Sequence, residues 1–408
     1  MRTHPSKFMA LPALLAALLF SAVAGSQTGF VHADGKFLVD GSGHKLLLRG
    51  TNLGNWLVQE GYMFRLDKGP SSSREIETLA NELIGPTDAA EFWRKYRDGY
   101  ITREDIDFIA GLGFNAIRVP FHYKFFDNGN DEGFRLIDRV VGWAAADHIY
   151  VILDMHCAPG GQTGSNIDDS WGYPWLFEDP ASQRKTIEIW RRIAGHYSNN
   201  KTVLGYDLLN EPIPHYPELQ KYNSHLEPLY KQITAAVREV DPNHVIILGG
   251  ARWDTNFSVF GPPFDRNLMY QFHKYWMQPN KEAIQEYLDF RAKYNVPIYM
   301  GESGENTDDW IAAFRAILDE NEISWTFWPY KKMDSTRSPV TFAKPVHWDE
   351  IVKYAARHAW MGDSENSIKV RPSIEDCRAA FVDLLEKIKF ENKIVNRGYL
   401  KALDAKGY

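Results

Sequence analysis

The sequence predicts an α/β fold, a (β/α)8 TIM barrel with a small N-terminal hairpin, and three observations lead there. Eight short β-rich runs alternate with helix-period segments between Leu46 and Tyr330, the pattern of a parallel sheet covered by helices. No Gly-rich phosphate turn follows the first run, as an open doubly wound sheet would carry. Polar and aromatic residues recur at the C-terminal ends of these runs, the face on which the loops of a barrel converge.

Taken in order, residues 1–24 read as an export signal. Arg2 and Lys7 precede an apolar stretch from Phe8 to about Val23, and Ala22-Val23-Ala24 places small residues where a signal peptidase cuts. The stretch is short for a bilayer span of ~20 residues, so cleavage after Ala24 and a secreted or periplasmic protein are expected. Loss of Arg2 and Lys7 moves the formal charge from −7 to −9. With no Lys/Arg-rich run, this excludes an electrostatic footprint for nucleic acid. No repeat, low-complexity tract or Pro/Ser-rich linker interrupts residues 25–408, so a single catalytic domain and a monomer, free of the membrane after cleavage, are expected.

A hairpin is expected at 29–45, turning at Asp34-Gly35 and closing the barrel floor. Strands are expected at 46–52, 115–120, 150–156, 203–210, 245–250, 267–274, 297–302 and 324–330. Thr102 and Asp105 mark the start of an amphipathic helix running to Gly111, and 181–198, 225–240, 281–294, 308–320 and 373–390 also read as helices. The Gly-, Trp- and Pro-rich segment 157–180 is long for a connection, the mark of a lid or binding wall. Cys157 and Cys377, the only two cysteines, are expected as buried thiols, since a chain of this size does not need a disulfide framework.

The strand ends present Arg118, His156, Asn210-Glu211, Trp253, His273, Tyr275, Glu302 and Trp328. Each alone has a structural explanation: a floor ion pair for Arg118, hydrogen-bonded core histidines for His156 and His273, packing for Trp328. Their joint placement on one rim points to a site, and a carboxylate such as Glu302 at the end of an apolar strand is costly unless paired or functional. Glycosidic bond hydrolysis needs one carboxylic acid to protonate the leaving oxygen and one carboxylate to meet the positive charge at the anomeric carbon. Glu211 and Glu302, on the fourth and seventh strands, face each other across an eight-strand ring. Arg118 and Tyr275 are expected to keep Glu302 charged, while Glu211, next to that negative charge and beneath the lid, is expected to titrate high. An aromatic content of 14% with 13 Trp, many in loops, suits stacking on sugar rings.

On these residues the chain resembles glycoside hydrolase family five. Leu-Leu-Asn-Glu-Pro at 208–212 is similar to that family's acid/base motif and Tyr-Met-Gly-Glu at 299–302 to its nucleophile strand, over roughly residues 46–350. The resemblance implies a retaining β-glycoside hydrolase acting on β-glucans or β-glucosides, with Glu211 as acid/base, Glu302 as nucleophile, and Arg118, His156, Asn210, Trp253, His273, Tyr275 and Trp328 around the substrate. Residues 49–60 (Arg-Gly-Thr-Asn-Leu-Gly-Asn-Trp-Leu-Val-Gln-Glu) and 153–162 (Leu-Asp-Met-His-Cys-Ala-Pro-Gly-Gly-Gln) look most like the exo-β-1,3-glucanase branch. That likeness implies that Glu60 hydrogen-bonds the sugar at the pocket bottom. The second half departs from the branch: Cys157 replaces its usual Gly, Gly-Glu-Ser-Gly-Glu at 301–305 lacks an aromatic after the nucleophile, and Trp-Pro-Tyr-Lys-Lys-Met-Asp at 328–334 is a different last loop. Cellulase-like endo-β-1,4 action, transglycosylation and a non-catalytic carbohydrate-binding barrel stand as alternatives. No His-x-His or His-Glu-x-x-His occurs, and neither metal nor other cofactor is expected.

Overall fold

The computed structural model describes residues 29–357 and 368–408; the expected export signal at 1–24 lies outside them. Eight parallel strands form a closed barrel: Arg49–Asn52, Ala116–His122, Tyr150–Cys157, Val203–Asp207, Val245–Gly249, Leu268–His273, Ile298–Glu302 and Ser324–Phe327. The eighth closes on the first in the register Trp325↔Arg49, Thr326↔Gly50 and Phe327↔Thr51. Strands two to eight are buried almost throughout, which is why they read as continuous apolar runs rather than alternating ones. At Gly50 an added Cβ would collide with the Ala116 carbonyl, so the closest approach of the first two strands requires glycine.

Two strands end three residues earlier than expected, and both early exits build the mouth. The fourth stops at Asp207 rather than 210, after which the Asn210 N–H turns to the Met155 carbonyl of the third strand at 3.2 Å. Glu211 and Ile213 then take left-handed backbone angles, φ 46° and 57°. The eighth stops at Phe327 rather than 330, because Pro329 has no N–H to extend the ladder.

The hairpin forms as His32–Asp34 paired with Phe37–Val39, turning at Gly35 with φ +56°. Val31 and Leu38 pack beneath the lowest barrel layer, against Leu48, Ala116, Ile152, Leu204, Val245, Ile247, Met269 and Tyr299. The Ala33 N–H donates to Asn267 Oδ1 at 2.8 Å. The hairpin is thus the barrel floor, as its position before the first strand implied.

The helix after Thr102 spans Arg103–Gly111, with the Thr102 N–H donating to Asp105 Oδ2 at 2.9 Å. The other expected helices occur at Pro180–Tyr197, Asn223–Arg238, Gln285–Tyr294, Asp308–Glu320 and Ile374–Lys387, the fourth of these starting where expected and Gln285–Tyr294 preceded by a 3-10 turn at Lys281–Ile284. Ser73–Ile84 and Pro86–Gly99 were not anticipated, although the first carries a capping box between Ser72 and Glu75 and the second starts on proline. They pack with Ile374–Lys387, for example through Phe92 and Phe381, whose rings lie 4.8 Å apart.

Cys157 and Cys377 are both buried free thiols, as expected. In segment 157–180 the Asp168 carboxylate gathers the N–H groups of Gln162 and Thr163, both at 2.6 Å, and the Ser170 hydroxyl. This pins the segment as a fixed wall. No helix among the described residues is long and apolar enough to cross a membrane.

Leu38 is 2% exposed beneath the barrel layer, so Leu38→Ala is expected to lower unfolding stability by about 2–5 kcal/mol through the cavity it leaves. Urea denaturation should show this shift, with activity per folded molecule unchanged.

Candidate active site

A cavity of about 670 Å³ opens at the C-terminal mouth of the barrel. Nine of the ten residues singled out from sequence line it: Glu60, His156, Asn210, Glu211, Trp253, His273, Tyr275, Glu302 and Trp328. The tenth, Arg118, lies fully buried beneath. A comparable depression of about 740 Å³ on the helical surface is lined by Arg94, Arg97, Asp98, Asp131, Glu132 and Arg135. Its charges are spent on one another, as in Arg97–Glu132 at 2.9 Å and Arg135–Asp98 at 2.7 Å.

Arg118 organises the floor of the mouth. Its Nε donates to Asp207 Oδ2 at 2.8 Å, Nη1 to Glu302 Oε1 at 2.5 Å and Asn52 Oδ1 at 3.1 Å, and Nη2 to Asn210 Oδ1 at 2.9 Å. Nη2 also lies 3.1 Å from Asp154 Oδ1. One planar cation thereby serves carboxylates from three strands, a role suited to the fixed fork of guanidinium donors. Burial pushes Asp154 and Asp207 up to about 7 even with Arg118 beside them.

Glu302 and Glu211 sit in different surroundings. Glu302 accepts from Arg118 on Oε1 and from the Tyr275 hydroxyl on Oε2 at 3.0 Å, the two donors expected from sequence. Glu211 Oε1 is 2.9 Å from His273 Nδ1, and its backbone N–H donates to Asp254 Oδ2 at 3.1 Å. Burial pushes Glu211 up to about 7, against the opposing pull of the Arg118 cation. The direction is the expected one. Of the two expected causes, burial leads and the neighbouring negative charge does not contribute.

The two histidines are held neutral by burial, His273 lowered to about 3 and His156 to about 4. His156 Nδ1 meets Asp154 Oδ2 at 2.8 Å, and its ring stacks on Trp328 at 5.5 Å with 7° between planes. Asn210 Nδ2 lies 3.3 Å from His156 Nε2. His273 Nε2 is 3.4 Å from Asp254 Oδ2, and burial raises Asp254 well above the usual carboxylate range. Asp254 closes a run of three left-handed residues, Arg252, Trp253 and Asp254, with φ 57°, 59° and 58°. Such angles cost about 1–3 kcal/mol each in non-glycine residues and persist only where the surroundings impose them. Here the Arg252 N–H donates to the Ile213 carbonyl at 2.6 Å and Trp253 Nε1 to His215 Nδ1 at 2.9 Å, which ties this turn to the Glu211 turn.

Glu211, His273 and Glu302 offer oxygen and nitrogen atoms within 4.8 Å of one another, a spacing that a metal ion accepts. Yet Glu302 already receives a cation and a phenol, and Glu211 is engaged by an imidazole.

Glu60 is buried at the cavity wall, and desolvation followed by repulsion from Glu302, Glu211 and Glu305 raises it well above the usual range. Sequence reasoning missed Tyr62, Ile167, His215, Thr255, Trp276, Glu305 and Arg337, which also line the cavity. His215 stands four residues after Glu211 and Trp276 one after Tyr275, so adjacency was an available signal; Arg337 had none. Trp171 and Trp175, the tryptophans of segment 157–180 that could have closed one end of the cleft, are not among the residues lining it. Trp171 is 72% exposed with the Arg74 guanidinium 3.7 Å from its ring centre, and Ile167 is the residue of that segment that reaches the cavity.

Replacing Arg118 by Met would strand Asp154, Asp207 and Glu302 without their shared cation. A loss of about 3–5 kcal/mol in unfolding stability is expected, measurable by guanidinium titration.

A family model described as cellulase (glycosyl hydrolase family 5) matches residues 77–334. The chain is 30% identical over 347 residues to a β-xylosidase of Phanerodontia chrysosporium, covering 74% of this chain and 71% of that protein. It is 25% identical over 339 residues to endoglucanase C of Acetivibrio thermocellus, covering 65% of this chain and 94% of that protein. In fold it is similar to the crystal structure of endogalactoceramidase, with a TM-score of 0.61 at 17% identity over 92% of this chain and 84% of that one. A family match across more than half of the chain, together with the extent of the β-xylosidase likeness, establishes that this protein belongs to glycosyl hydrolase family 5 and is a β-glycoside hydrolase.

Proposed function

We propose that the protein is a retaining, exo-acting β-glycosidase of β-glucans and β-glucosides, with Glu302 as nucleophile and Glu211 as acid/base. The observation that carries this reading is the approach of the Glu211 and Glu302 carboxylate oxygens to within 4.8 Å. Retaining enzymes hold their carboxyl groups about 5–5.5 Å apart, whereas inverting enzymes leave about 6.5–9.5 Å for a water. In the first step Glu302 attacks the anomeric carbon while the Glu211 proton passes to the leaving oxygen. The resulting ester is then cleaved by water, whose proton returns to Glu211, and the β configuration is restored. Arg118 and Tyr275 hold the Glu302 carboxylate aimed at its target, and desolvation keeps Glu211 protonated for its first task.

The branch-like motifs at 49–60 and 153–162 favour β-1,3-linked glucose at a chain end, and the β-xylosidase relative makes β-xylosides the neighbouring possibility to assay. Endo-β-1,4 action, suggested by the endoglucanase relative, would release mixed lengths from laminari- or cello-oligosaccharides, whereas exo action releases monomer. Trp253 and Trp276 on the mouth wall give a second sugar a surface to stack on, which supports transglycosylation as a side reaction. The basic, apolar residues 1–24 support export with cleavage after Ala24, leaving 25–408 as one catalytic domain acting as a monomer.

Glu302→Gln is expected to abolish turnover of aryl β-glucosides, by at least about 10³-fold. Proton NMR on the wild type should show the β-anomer as first product; an α-anomer would overturn the retaining assignment. The pH profile of kcat/KM should fall on the alkaline side near 7, since Glu211 must be protonated to act as acid and ionises above that value. Glu211→Ala should remove this limb and slow unactivated glycosides by about 10²–10⁴-fold, while dinitrophenyl glycosides, whose leaving group needs no proton, keep their first step.

A further inference from the structure

Two segments in which this chain departs from the exo-β-1,3-glucanase pattern, 301–305 and 328–334, meet in the cavity. Lys332 Nζ donates to both oxygens of Glu305, at 2.6 and 2.5 Å. Both side chains are largely buried, and Glu305 lines the catalytic cavity beside Glu60, Tyr62 and Trp328. An ion pair taken out of water costs stability unless its geometry and remaining hydrogen bonds compensate, so its place against the substrate space calls for a function.

The local backbone is shaped to deliver Glu305. Gly304 has φ +138°, and an added Cβ there would meet the Trp328 carbonyl at 2.5 Å. Glu305 follows in a left-handed conformation, φ 51°. Lys332 lies on a short strand paired with Val340–Phe342, its carbonyl accepting from Thr341 Oγ1 at 2.7 Å. Tyr62 donates to Glu305 Oε1 at 3.3 Å and accepts from Trp328 Nε1 at 2.7 Å. Loops after the first, seventh and eighth strands are thereby tied into one wall.

That wall is on the sugar-retaining side. Glu211 protonates the leaving oxygen, so the leaving group passes along Glu211, His215 and Trp253, on the loops after the fourth and fifth strands. The loops after the seventh, eighth and first strands stand on the other arc of the ring. A carboxylate has about four acceptor positions; Lys332 takes one on each oxygen and Tyr62 one on Oε1, leaving one on Oε2.

We propose that Glu305 reads the terminal sugar, accepting a hydrogen bond from one of its ring hydroxyl groups, and that Lys332 is the positioning residue that fixes Glu305 for this. The inference rests on the glycosidase reading above and deepens it.

The test is kcat/KM on an aryl β-glucoside, on its monodeoxy analogues with each ring hydroxyl removed in turn, and on the aryl β-xyloside, for wild type, Glu305→Gln and Lys332→Met. In the wild type, one deoxy analogue should lose about 10- to 100-fold, the range of a hydrogen bond to a charged group. Glu305→Gln should lose a similar factor on the parent glycoside and little further on that same analogue. Lys332→Met should weaken discrimination at that hydroxyl alone. A penalty spread equally over all analogues, with a lowered melting temperature, would mean that the pair only staples two loops and would overturn the proposal. Absence of any sensitive hydroxyl in the wild type overturns it without recourse to a variant. An inert wild type would sink the glycosidase reading and this one with it, whereas an active wild type with an insensitive Glu305→Gln sinks this one alone.

Discussion

A single guanidinium stands between the barrel and its chemistry. Arg118 is fully buried and bonds outward to Asn52, Asp154, Asp207, Asn210 and Glu302, residues drawn from the first, third, fourth and seventh strands and the turn after the fourth. A buried cation is tolerable only when its donors are satisfied, and a ring of parallel strands is an efficient way to bring that many acceptors to one point. The same bonds that neutralise Arg118 set the position of Glu302 and of Asn210 next to Glu211. Fold and site therefore share one electrostatic centre.

Around that centre the protein separates two chemically identical side chains by their surroundings. Glu302 is in contact with a cation and a phenol, Glu211 with a neutral imidazole in a desolvated wall. Neutral histidines matter here: charged ones at His156 and His273 would favour the ionised form of Glu211 and remove its acidity. Burial therefore acts twice, directly on Glu211 and through the histidines beside it.

Much of this was legible in the chain because parallel barrel strands are buried on both faces and so stand out as apolar runs. Polar residues at or just past the strand ends mark the mouth, and the structure gathers His156, Asn210, Glu211, His273, Tyr275 and Glu302 around one cavity, with Arg118 mid-strand beneath it. What was not legible depends on contacts between loops. Glu305 and Lys332 are far apart in sequence and gain meaning only through their pairing, and Trp171 in a promising loop turned outward onto Arg74. The helices Ser73–Ile84 and Pro86–Gly99 had capping signals, but they lie in an insertion between the first two strands where the β/α alternation gives no cue.

Closure of the ring by Trp325↔Arg49 and Thr326↔Gly50 joins the beginning of the barrel to its end. Until the eighth strand arrives, the first and seventh each have an unsatisfied edge, the kind of surface that pairs with other chains. Such long-range pairing is slow to form, so a nascent or truncated chain ending before Ser324 would be an aggregation hazard with Glu211 and Glu302 already present. The final few residues of the sheet thus act as a seal on assembly as much as a wall of the site.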